Sequence, residues 1–76
     1  MHDYTMLFAG GGSIKASQLV AEFERLNVQP PASLVELVAT GNIRYSNQDF
    51  DVMSHAWAEL RKIGDSARLL DRYFGS

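Results

Sequence analysis

A chain of 76 residues, 46% hydrophobic, with 7 Lys+Arg against 9 Asp+Glu and a formal charge of -2, has material for one small core and excludes two, since a chain of roughly this size buries only about 60% of its unfolded surface. The acidic balance lacks the basic excess that binding a phosphate backbone requires. The absence of cysteine removes disulfides, thiol nucleophiles and Cys-ligated zinc, so hydrophobic packing must supply the stability.

Met1-His2-Asp3-Tyr4 carries neither the basic run nor the apolar stretch of about 7–15 residues that marks a secretory signal. No later run approaches the ~18 apolar residues of a membrane span. A soluble, cytoplasmic protein is expected. Residues 4–9, Tyr-Thr-Met-Leu-Phe-Ala, are apolar and aromatic and stop at Gly10-Gly11-Gly12, which reads as a short extended segment ending in a turn. A lone strand is unstable in water, so it needs a helix, a second strand or another copy of the chain to pack on. Gly-Gly-Gly-Ser also has the composition of a flexible linker, which would make residues 1–9 an appendage. Residues 1–12 are therefore assigned to an extended segment and Gly-rich turn, and residues 13–76 to a helical body.

Between Ser13 and Leu26, Ala16, Leu19, Val20, Phe23 and Leu26 recur at helical spacing, with Gln18, Glu22 and Arg25 on the other side. Ser13 or Ser17 would cap this helix, and Asn27 followed by Pro30-Pro31 would end it. A second helix starts with Pro31 as its first residue and stops at Gly41, a natural left-handed position. Leu34, Val35, Leu37 and Val38 surround much of it, so residues 32–39 are expected at the centre of the fold. Asn42-Ile43-Arg44-Tyr45 alternates polar and apolar and could pair with residues 4–8. Ser46 and Asp49 then have capping-box spacing, and Phe50, Met53, Ala56, Trp57, Leu60 and Ile63 form the stripe of the main helix, closed by Gly64. Asp65 or Ser66 caps a last helix with Ala67, Leu69, Leu70, Tyr73 and Phe74. The expected fold is mainly α: a small single domain of about four short helices with an extended N-terminal segment. Its core should include Phe23, Leu34, Leu37, Val38, Phe50, Met53, Trp57, Leu60 and Leu70.

Motifs that carry chemistry are sparse. The glycine run with Ser13 and Lys15 could cradle a phosphate, but it lacks the G-x-x-x-x-G-K-[ST] pattern and reads more simply as a turn. His55 has Asp51 and Glu59 four residues to either side on one helix face. That offers at most three metal ligands strung along ~12 Å of helix, so a solvated charged face is the simpler reading. The serines explain themselves as caps or surface residues, and no nucleophile, base and orienting group converge. No catalytic, cofactor or metal residue is assigned.

What remains is surface for another protein. The last helix carries more apolar width than one contact needs, and Trp, Tyr and Arg are common interface anchors. Tyr45, Arg68, Leu69, Arg72, Tyr73 and Phe74 are the candidate partner-binding residues. They point to a non-enzymatic protein–protein interaction module, an adaptor, regulator or inhibitor of a larger complex, able to pair with itself as a homodimer. Phage and mobile-element inhibitors offer an analogy of size and charge only. Neither a membrane nor a small-molecule substrate is implied. The alternative is a small nucleic-acid-binding regulator using Arg61, Lys62, Arg68 and Arg72, a face on which Glu59, Asp65 and Asp71 cancel much of the charge.

Overall fold

In the computed structural model, residues 3–41 and 48–74 are described, and they form a short hairpin followed by four helices. Strand β1 (Thr5–Leu7) runs antiparallel to β2 (Ser13–Lys15), with Met6 opposite Ile14. Each strand is an apolar residue between two exposed neighbours, the period of two that puts one side chain of each on the core. The glycines close the hairpin. Gly11 and Gly12 adopt φ of 99° and 91°, and the Phe8 amide donates to the Gly12 carbonyl at 3.1 Å.

One sequence expectation is corrected here. Residues 13–15 are strand, so the helical body begins at Ala16; Ile14, β-branched and flanked by Ser and Lys, follows strand alternation and is fully buried. The strand partner of residues 5–7 among the described residues is 13–15. The pairing envisaged for residues 42–45 lies outside the described residues, as do Tyr45 and the Ser46 cap.

Helix α1 (Ala16–Arg25) is not capped by Ser13 or Ser17. Gln18 Oε1 accepts from the Lys15 amide at 2.8 Å, while Asp3 reaches across the hairpin to accept from the Ser17 amide at 2.9 Å and its hydroxyl at 2.8 Å. A carboxylate there satisfies a free amide and complements the positive end of the helix dipole. Asn27, as read from sequence, ends α1: its φ of 58° lets its own amide bond the Glu24 carbonyl and the Val28 amide bond the Phe23 carbonyl, the paired bonds of a Schellman turn.

Pro31 caps α2 (Ala32–Thr40) from just outside the first turn, and Gly41 ends it at φ 64° with its amide on the Leu37 carbonyl. This helix is not the centre of the fold. Leu34 and Leu37 are buried, but Val35 is 45% exposed, so α2 covers the core from one side. The spine is α3 (Gln48–Ile63), which buries Met53, Ala56, Trp57 and Leu60 at helical spacing and packs on α1, α2 and α4. Asp65 caps α4 (Ser66–Tyr73) by accepting from the Arg68 amide at 3.2 Å.

Phe23, Leu34, Leu37, Met53, Trp57 and Leu60 are buried as expected, and Val38 and Leu70 pack against them half-buried. Phe50 is the exception at 52% exposed, on the first turn of α3. Met6, Ile14, Ala16, Leu19, Ala56 and Leu69 complete the core. The hairpin is tied on at both ends, because Ser54 donates to the Met6 sulfur at 3.6 Å and the Phe8 ring stacks on Phe74 at 4.4 Å. Residues 3–12 thus belong to the fold rather than trailing from it. No helix among the described residues is long and apolar enough to cross a membrane.

Candidate functional site

The most concentrated polar arrangement centres on Glu22, whose side chain is 2% exposed. On α1 it lies three residues after Leu19 and next to Phe23, at the border of the buried stripe, where side chains of α4 reach it. Such a group must be paired, because an uncompensated buried carboxylate is costly. Four side chains meet it. Arg25 Nη1 lies 3.2 Å from Oε1, Arg68 Nη2 3.4 Å from Oε1, Arg72 Nη1 3.3 Å from Oε2, and the Tyr73 hydroxyl donates to Oε2 at 2.6 Å.

The α4 members follow from its periodicity. Arg68 and Arg72 are four apart, with Tyr73 beside them, so one edge of α4 presents all three to α1 while Leu69 enters the core on the adjoining face. The three arginine side chains stay 44–52% exposed and Glu22 does not, so the cluster is a buried anchor with a basic rim. Tyr73 feels both. Burial pushes its hydroxyl up to about 12, helped by the hydrogen bond to Glu22 and by that carboxylate's charge, and opposed by Arg72 and Arg68.

The candidate partner-binding residues therefore divide. Arg68 and Arg72 are at the surface with one edge on Glu22. Leu69 is 3% exposed in the core. Tyr73 and Phe74 are half-buried in an aromatic cluster with Phe8 and Trp57; the Tyr73 ring meets Trp57 edge-on at 6.1 Å. Tyr45 lies outside the described residues. Glu22 and Arg25, read from sequence as the polar side of α1, join the same site.

His55, Asp51 and Glu59 are all exposed on α3, and Glu59 is 3.9 Å from Lys62. No group of three or more His, Cys, Asp or Glu among the described residues could hold a metal ion. The glycine run shapes a hairpin, with Gly12 pressed against the backbone of Tyr73 and Phe74. No protein-family model, curated protein or solved structure matches the chain.

Proposed function

We propose that the protein is a non-enzymatic protein-interaction module, an adaptor, regulator or inhibitor of a larger complex, that engages its partner through the arginine rim of Arg25, Arg68 and Arg72. The observation that carries this reading is the convergence of three half-exposed arginine side chains on one buried carboxylate. Arginine is a frequent interface anchor, and its binding cost is largely the ordering of a long side chain. Here Glu22 has already ordered three. The serine hydroxyls with identified partners support the non-enzymatic reading: Ser17 bonds Asp3, Ser54 the Met6 sulfur and Ser66 the Arg61 guanidinium, and none engages His55.

The same rim carries the alternative of a small nucleic-acid-binding regulator, against which the overall charge of -2 weighs. Affinity capture with the tagged chain, from lysate divided into nuclease-treated and untreated halves, separates the two. A defined protein retained after nuclease, and lost with Arg68→Glu or Arg72→Glu while circular dichroism is preserved, supports the interaction module. Recovery that disappears with nuclease supports the nucleic-acid reading.

A further inference from the structure

We propose that Arg25, Arg68 and Arg72 form a binding site for a phosphate monoester dianion, carried on a phosphorylated side chain of the partner protein. The source of the phosphate rests on the interaction reading above; the site itself rests on the geometry. A carboxylate has about four lone-pair positions, whereas each guanidinium has five N–H donors in a planar fork. Glu22 is filled by three arginines and Tyr73, so the supply of donors far exceeds what it accepts. Among the described residues no other side-chain acceptor takes the rest. The three arginines, with Asp71, line one surface depression.

The charge balance favours an anion. Glu22 and Asp71 offset two of the three positive charges, and a surplus remains at one point of an otherwise acidic chain. A phosphate monoester brings about -1.5 to -2 charges and three acceptor oxygens to a single point, a match for forks arriving from two helices. A polynucleotide spreads single charges along an extended strand and needs a basic track to follow it. This rim is one compact spot. Lysines would not serve equally, since the planar fork lets each arginine bond Glu22 along one edge and a second oxyanion along another.

Phenyl phosphate is the probe, titrated into the full chain at low salt while the arginine Nε–Hε resonances are followed by NMR. Saturable shifts at Arg25, Arg68 and Arg72, with Arg61 unmoved, are expected. Arg68→Gln should weaken binding about tenfold or more, the scale of one lost charge-assisted hydrogen bond. Asp71→Asn leaves the Glu22 cluster intact and removes the negative charge from the depression, so it should tighten binding; this variant decides the matter if Arg68→Gln does not fold. Absence of saturation, equal shifts at Arg61, or unchanged affinity in Asp71→Asn overturns the site. Tighter binding per phosphate by single-stranded DNA overturns the monoester in favour of nucleic acid. Partner capture that survives phosphatase treatment overturns the ligand class and leaves the interaction module standing; phenyl phosphate binding without any partner capture overturns the protein source alone.

Discussion

The Tyr73 hydroxyl donates to Glu22 Oε2 at 2.6 Å and ties the last turn of α4 to the middle of α1 across 51 positions of sequence. The bond joins elements that the chain itself separates by α2 and α3. Removing it by Tyr73→Phe should cost about 1–2 kcal/mol, the usual loss when a buried acceptor gives up one donor. Glu22→Gln should cost about 1–3 kcal/mol, less than a fully buried ion pair because the three arginines retain contact with water. Urea denaturation monitored by circular dichroism measures both, and the double variant should lose less than the sum.

Alkaline pH should act through the same tyrosine. Burial and Glu22 push its folded-state pKa up to about 12, above the ordinary tyrosine value of 10.0, so the folded form holds its proton where the unfolded form has released it. The associated stability is fully present below pH 10 and is lost as pH rises toward 12. Ultraviolet titration should show one tyrosine ionising late, and Tyr73→Phe should remove that step and flatten the decline in stability over this window.

Gly12 and Gly10 should respond differently to the same change. An alanine Cβ at Gly12 would overlap the Tyr73 carbonyl oxygen and lie 2.7 Å from Phe74 Cα, at a φ of 91° that side chains rarely adopt. Gly12→Ala should therefore cost upward of about 2 kcal/mol. At Gly10 nothing lies within 4 Å, and Gly10→Ala should stay within about 0.5 kcal/mol of the parent. Comparable losses in thermal denaturation of the two variants would contradict the packing of the hairpin on α4.

Phe50 and Met53 share a stripe on α3 but not an environment, being 52% and 1% exposed. Met53→Ala should cost about 2–5 kcal/mol by leaving a cavity, while Phe50→Ala should cost under about 1 kcal/mol. Chemical denaturation of the pair checks the assignment. Phe50 and Leu7, itself 75% exposed, line a surface depression together with Thr5, Met6 and Met53.

Local sequence was sufficient for the four helices and most of their ends, because periodicity and caps act over a few residues. Asn27, Gly41 and Asp65 each carry out a stop or start that their own chemistry favours. Within a stripe, however, periodicity records which way a side chain points and not how completely other elements cover it; Phe50 has the right phase and stays 52% exposed. Ser13–Lys15 shows a related limit. Three residues are too few for a period to declare itself, and the strand exists because β1 lies within reach of a tight glycine turn.

The candidate site was half legible. Arg68, Arg72 and Tyr73 stand out as a cationic and aromatic edge of α4, whereas Glu22 reads from its spacing as part of the polar side of α1 with Gln18 and Arg25. Their meeting was not. Composition, charge and spacing determined a small acidic, cysteine-free helical chain with a glycine-closed N-terminal segment. Only the tertiary structure decided that Glu22 is buried, that α4 gives Leu69 to the core and its arginines to Glu22, and that Phe8 stacks on Phe74. The physical reason is range: caps and helical faces are set by neighbours along the chain, whereas the partner of a buried charge is set by whichever distant helix packs over it.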